Sequence, residues 1–273
     1  MNAPDLTVGT TPDMDPMSVA RVVLTVHDLA RVGDYYQKVV GLSRLSGDAG
    51  TLTLGAGERP LLELRRDPAA RFRSPREAGL FHTAFLLPGR ADLGRWTKRA
   101  IEAQIPVQGL SDHLVSEAIY LADPEGNGIE IYADRPRESW SWTDGTVAMS
   151  TEPLDVESLL AEAPGQWAGA PVGTMIGHVH LQVGSVIEAE AFYHGRLGFD
   201  ITTHYPGAVF LATGGYHHHL AANVWNSRNA GPRQMPSTGL AEVVLQLRED
   251  APVRPDAGLI KDPWGTPVRL VTA

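Results

Sequence analysis

The sequence predicts an α+β fold assembled from four βαβββ modules, and three observations predict it. A strand-and-helix pattern over residues 20–41 returns 157 residues later, so that Tyr36 falls on Tyr193 and Gly41 on Gly198. A second pair of apolar runs, "GLFHTAFLL" (79–87) and "GLAEVVLQL" (239–247), shares its own pattern. Each of these two is followed by a DP-x-G turn into a final strand, "DPEGNGIEIY" and "DPWGTPVRLV". Four modules are too few for a typical solenoid, whose repeats stack in a longer series.

The elements follow in chain order. The first 18 or so residues lack a basic n-region and an apolar run, so residues 1–18 read as a flexible leader rather than an export signal. "ARVVLTV" (20–26) is strand-like, and Asp28 can cap a helix carrying Leu29, Val32, Tyr36 and Val39 on one face, with Gly41 as its stop. Short strands around Thr51–Leu54 and Leu61–Leu64 flank the turn-rich "GAGERP". Modules 1 and 2 together occupy 19–132. Residues 133–174, rich in Pro, Gly, Ser and acidic side chains, form a connector with one short helical candidate at "DVESLLAEA". Modules 3 and 4 fill 175–273, opening with "GHVHLQV" (177–183) and a helix carrying Val186, Ala189, Tyr193 and Leu197 before Gly198.

Composition narrows the function. With 273 residues and 43% hydrophobic content, the chain can bury a substantial core. Its 32 acidic against 23 basic residues give a net charge of −9, which argues against nucleic acid or an anionic membrane surface as partner. No run approaches the roughly 20 apolar residues of a membrane span. The absence of cysteine excludes disulfides, thiolate metal sites and cysteine nucleophiles, and it suits a reducing cytoplasm. Any metal must therefore sit on His, Asp or Glu.

The modules, the "FYxxxLGF"-like helix end (Phe192, Tyr193, Leu197, Gly198, Phe199) and the "DPEGNGIEIY" turn resemble the vicinal oxygen chelate superfamily from about residue 19 onward. The resemblance implies cupped sheets made of two modules each, with metal ligands projecting inward from first and last strands. Within it, "HLVSEAIYLADPEGNGIE" resembles the signature of the type I extradiol ring-cleaving dioxygenases. His113 is followed by five residues, then Ile119, Tyr120, two residues, Asp123, Pro124, Glu125, Gly126, three residues and Glu130. Ser111 departs from the pattern, standing where the family has Gly, Asn, Thr, Ile or Val.

The resemblance makes Glu130 an iron ligand. Period-2 alternation turns Glu130 away from Ile129 and Ile131, and a buried carboxylate costs several kcal/mol unless a cation or other partner offsets it. The bland alternative puts Glu130 and Tyr120 on a solvated sheet face. Non-haem Fe(II) oxygenases join two histidines to one carboxylate and leave positions open for substrate and dioxygen. His82 and His178 stand at the family's ligand positions in modules 2 and 3. Periodicity cannot separate His178 from His180, but the repeat alignment pairs His178 with Arg21 of module 1, leaving His180 as a neighbour of the site. Module 1 offers Arg21, and module 4 offers Glu242 and Arg269, at the equivalent positions; a guanidinium is a poor neighbour for a cation. Modules 2 and 3 are therefore expected to share the active cup, with modules 1 and 4 forming a metal-free one.

In "YHHHLAANVW" (216–225), the family register makes His218 the acid–base residue. Strand alternation would set His217 and His219 on the opposite face, so a one-residue slip would change the assignment. His113 and Tyr120 would assist. The resemblance thus implies a catechol opened beside its diol with O2 to a semialdehyde acid, on Fe(II) or Mn(II), with self-association open. A glyoxalase-like isomerase and an antibiotic-binding protein are the competing readings. Tyr216, Asn223 and Trp225 are candidates for the pocket lining.

Overall fold

The computed structural model describes residues 15–249, 251 and 258–272. Residues 1–14, most of the expected leader, lie outside the described residues. Module 1 comprises β1 (Met17–Val26), α1 (Leu29–Tyr35), β2 (Ser43–Gly47), β3 (Thr51–Ala56) and β4 (Arg59–Arg66). Module 2 comprises β5 (Gly79–Leu86), α2 (Arg90–Glu102), β6 (Gly109–Asp112), β7 (Ser116–Ala122) and β8 (Gly128–Asp134). The connector holds β9 (Trp142–Thr143), β10 (Thr146–Val147) and α3 (Val156–Ala161). Module 3 comprises β11 (Met175–Gln182), α4 (Val186–Tyr193), β12 (Asp200–Tyr205), β13 (Ala208–Ala212) and β14 (Leu220–Asn223). Module 4 is shorter than expected: its described residues hold β15 (Gly239–Leu247), β16 (Gly258–Lys261) and β17 (Pro267–Thr272), with only residues 248–257 between the first two.

These strands form two large sheets and the small β9–β10 hairpin. One sheet has the order β16-β17-β15-β1-β4-β3-β2, and the other β12-β13-β14-β11-β5-β8-β7-β6. At the centre of each, two first strands pair antiparallel, β1 with β15 and β11 with β5. The sheets pack face to face through β1 on β11 and β15 on β5, and one buried cluster runs from Val22 and Leu54 through Phe85 and Ile131 to Leu211.

Local chemistry explains the elements. Asp28 caps α1 by accepting a hydrogen bond from the Arg31 amide at 3.0 Å. The last turn of that helix is a π turn over Tyr36–Val40, ended by Gly41 at φ 87°. The extra residue in that turn shifts the frame by one, so Val40 is buried while the expected Val39 is half-buried. β2 escapes the pattern because every residue in it is exposed. The leader ends earlier than expected: β1 starts at Met17, whose amide donates to Thr213 Oγ1 at 3.0 Å. Asp15 is buried and paired with Arg137 at 2.8 Å.

The two repeats meet in one recurring contact. In the turn before β8, the Asp123 carboxylate accepts from the amides of Glu125 (2.8 Å) and Asn127 (2.9 Å), and Gly126 takes φ 81°, which favours glycine. Asp262 does the same before β17, accepting from Trp264 (3.0 Å) and Thr266 (2.7 Å). The helix tyrosine of each odd module then donates to the turn aspartate of the next: Tyr36 to Asp123 at 3.3 Å and Tyr193 to Asp262 at 3.1 Å. Burial, then the aspartate's charge, pushes both phenols well above their ordinary pKa, so both remain donors.

Trp96 of α2 is fully buried and donates its indole N–H to the Val39 carbonyl at 2.8 Å, bolting module 2 to module 1. Trp96→Ala is expected to destabilise the fold by about 3–5 kcal/mol, the usual range for emptying a large aromatic site. Chemical denaturation measures it, and a loss under about 1 kcal/mol would mean the modules do not depend on this contact.

Candidate metal centre

The site lies on the concave face of the eight-stranded sheet, and the strand register builds it. His82 on β5 stands opposite His180 on β11, while Ala84 stands between His178 on β11 and Glu130 on β8. Ala84 ends at its Cβ, so the two longer side chains can meet above it. A bulge between Ile176 and His178 re-aims β11 at this point. Tyr120 on β7 stands opposite Glu130.

Three donors converge. His82 Nε2 lies 2.9 Å and His178 Nε2 3.1 Å from Glu130 Oε2, and the two nitrogens are 3.3 Å apart. These spacings fit one face of an octahedron around a first-row dication, whose bonds of about 2.1 Å put adjacent ligands about 3 Å apart. Two imidazoles and one carboxylate are the donor set of non-haem iron sites. Glu130 and His178 are each 2% exposed and His82 is 6% exposed, which removes the solvated-face alternative for Glu130. Burial pushes the Glu130 carboxyl up, but the adjoining His178 and His82 outweigh it and hold it well below the usual range. Burial lowers His178 to about 4 against the opposing pull of Glu130, so its imidazole is neutral with a lone pair available at neutral pH.

The surrounding groups shape a cavity of about 360 Å³ over the three donors. Its walls include Phe81, Phe210, Trp225, Met149, His180 and His218. His180 Nε2 accepts from the Asn223 side-chain NH2 at 2.9 Å and does not belong to the converging group. Of the expected lining residues, Trp225 faces the cavity, whereas Asn223 is fully buried behind His180 and Tyr216 is fully buried against His217. Side-chain volume and polarity along the strand carried no sign of that difference.

His218 lines the cavity, its ring centroid 4.0 Å from His178 and 4.9 Å from Phe210. The triplet does not lie in a strand as expected; β14 begins only at Leu220. His217 and His218 bond each other through Nδ1 at 2.7 Å, which adjacent side chains on an extended strand cannot do because they point to opposite faces. His219 points elsewhere: its Nδ1 accepts from the Thr213 amide at 3.3 Å and its Nε2 faces Asp15 at 3.3 Å.

His113 and Tyr120 form a second polar pair in the wall. His113 Nδ1 lies 2.7 Å from the Ser150 carbonyl, which only accepts, so Nδ1 carries the proton and Nε2 accepts from Tyr120 Oη at 2.7 Å. Burial, then the Glu130 charge, keeps the Tyr120 phenol well above its ordinary pKa. Met149, Ser150 and Thr151 come from the connector, so this segment walls the cavity as well as joining modules. Nothing in its composition pointed to that.

In the seven-stranded counterpart sheet, the equivalent positions Arg21, Glu242 and Arg269 are engaged in ion pairs. Arg269 grips Glu242 through two bonds of 2.8 and 2.9 Å, and Arg21 faces Glu63 at 3.6 Å.

The fold of paired βαβββ modules is shared with known proteins. The chain belongs to the glyoxalase/bleomycin resistance protein/dioxygenase superfamily, whose family model matches residues 18–131 and 175–267. It is 45% identical over 235 residues to a catechol-2,3-dioxygenase of Bacillus subtilis (strain 168), covering 83% of this chain and 82% of that one. It is 36% identical over 104 residues to a biphenyl-2,3-diol 1,2-dioxygenase of Rhodococcus globerulus, covering 33% of this chain and 50% of that one. Among solved structures, a putative dioxygenase from Bacillus subtilis superposes with a TM-score of 0.61 at 14% identity, covering 94% and 86% of the two chains. Glyoxalase I from Zea mays superposes with a TM-score of 0.55 at 16% identity, covering 95% and 94%. At those identities the structural likeness speaks to the fold. Among the described residues, no helix is long and apolar enough to cross a membrane.

Proposed function

We propose that this protein is an extradiol dioxygenase that opens the ring of a catechol beside its diol, adding both atoms of O2 to give a semialdehyde acid. The observation that carries this reading is the convergence of His82, His178 and Glu130 within 3.3 Å of one another, beneath an aromatic cavity that also holds His218. The likeness to the catechol-2,3-dioxygenase supports it. His82, His178 and Glu130 would hold Fe(II), or Mn(II) with the same donor preferences, supplying positive charge that favours the deprotonated diol and open positions where substrate and O2 become neighbours.

The chain's own residues do the rest. Phe81, Phe210 and Trp225 exclude water and hold the ring. His218, kept neutral by burial, accepts a proton from a substrate hydroxyl and returns it as the ring opens. The Tyr120 phenol proton rests on His113 Nε2 in the free site, and on binding the O–H turns from that nitrogen toward anionic oxygen on the substrate.

Anaerobic loading with Fe(II), followed by catechol and air, is expected to give oxygen uptake and a yellow product. A protein that fills with iron but consumes no oxygen with any simple catechol would end this reading. Among the described residues no Lys or Arg lines the cavity, and Glu130 already places a negative charge there. A carboxylate on the catechol ring would be buried without a partner. Alkyl- or aryl-substituted catechols are therefore expected to exceed carboxylated ones in kcat/KM by at least about 100-fold, or about 2.7 kcal/mol. Equal rates would mean that the carboxylate stays outside.

A further inference from the structure

Behind His218 lies a buried chain of polar groups that ends on a carboxylate outside the metal group. His217 Nε2 is 2.9 Å from Asp134 Oδ1, and His217 Nδ1 is 2.7 Å from His218 Nδ1. Asp134 also receives the Tyr216 hydroxyl, at 3.0 and 3.2 Å to its two oxygens. Tyr216 is in turn 2.8 Å from the Tyr132 hydroxyl. Tyr216, Tyr132 and His217 are all fully buried, so none exchanges these partners for water. Trp140 closes the far side of His217, with ring centroids 5.0 Å apart.

With one proton on each imidazole, every proton in this chain has one place to sit. A carboxylate only accepts, so His217 Nε2 and the Tyr216 hydroxyl must both donate to Asp134. His217 then has its lone pair on Nδ1, and the short contact there requires His218 Nδ1 to be the donor. With Nδ1 turned back onto His217, Nε2 is the ring nitrogen of His218 left for the cavity that the residue lines. We infer that Asp134, acting through His217, fixes His218 in the Nδ1–H tautomer and so presents an unprotonated Nε2 to the substrate. Asp134 and His217 are positioning residues here, since neither lines the cavity. Asp134 thereby sets which nitrogen carries the proton, as the aspartate of a Ser-His-Asp triad sets the tautomer of its histidine. It rests on the dioxygenase reading only for the consequence in turnover.

The direct test is the ring-nitrogen ¹⁵N NMR spectrum of the full-length chain, as isolated and with Zn(II) added as a diamagnetic ion. The expected result is His217 in the Nε2–H form and His218 in the Nδ1–H form. Asp134→Asn can turn its NH2 toward His217 and reverse both tautomers, whereas Asp134→Glu should keep them. In the iron-loaded enzyme, Asp134→Asn is expected to lose at least about 100-fold in kcat, with KM and iron content little changed, and Asp134→Glu to recover much of it. His218 in the Nε2–H form in the parent chain, or the same tautomer in the parent and the Asn variant, would overturn the inference. If the Asn variant does not fold, the parent spectrum and the Glu variant still decide. A parent chain with the expected tautomers and no ring cleavage would sink the dioxygenase reading and leave this one standing.

Discussion

Glu130→Ala is expected to fold and to lose tight Fe(II) binding, by at least about 100-fold in affinity, since even neighbours of metal ligands cost 10–100-fold when removed. Glu130 is the one anionic donor of the group and lies within 3.1 Å of both imidazoles. Without it, two neutral nitrogens must hold the dication and the buried site loses its compensating charge. Glu130→Gln keeps the shape without the charge and should fall between the two. Metal analysis after dialysis against a weak chelator, with circular dichroism to verify folding, makes the measurement. Full iron occupancy in the Ala variant would remove Glu130 from the donor set and the proposed activity with it.

His218→Ala is expected to do the reverse, keeping iron and losing turnover by about 100- to 10,000-fold, the range for removing a general acid–base group. His218 touches the centre from the side, its ring 4.0 Å from that of His178, but it is not among the three converging donors. Steady-state oxygen uptake at matched iron content separates the two effects. Near-normal kcat would pass the proton role to His113 and Tyr120, which share a bond of 2.7 Å in the same cavity. His219→Ala serves as the contrast: its partners are Thr213 and Asp15, so stability should suffer before chemistry does.

Much of the architecture is legible in local chemistry. Asp28 caps its helix, Gly41 and Gly126 adopt positive φ, and the strands at residues 79 and 239 begin where the apolar runs begin. These features depend on neighbours within a few residues, which sequence records directly. The misses are equally physical. β2 carries no burial signal because it buries nothing. The π turn at Tyr36–Val40 arises from how that helix end packs, and a fixed helical period cannot anticipate it. The strand-like look of "YHHHLAANVW" fails at its histidines, where a bond between neighbouring rings outweighs extended geometry.

By itself the sequence determined the modules, their repeats, the turn that precedes Glu130, and the presence of histidines on first strands at comparable positions. Tertiary structure alone decided that His82 and His178, which are 96 residues apart, come within 3.3 Å. It also decided that the connector lines the cavity, that Tyr216 and Asn223 stand behind it, and that Asp134 reaches His218 through His217. The reason is one of range: backbone periodicity says which face a side chain occupies, whereas pairing register, bulges and the close packing of two sheets say what it meets there.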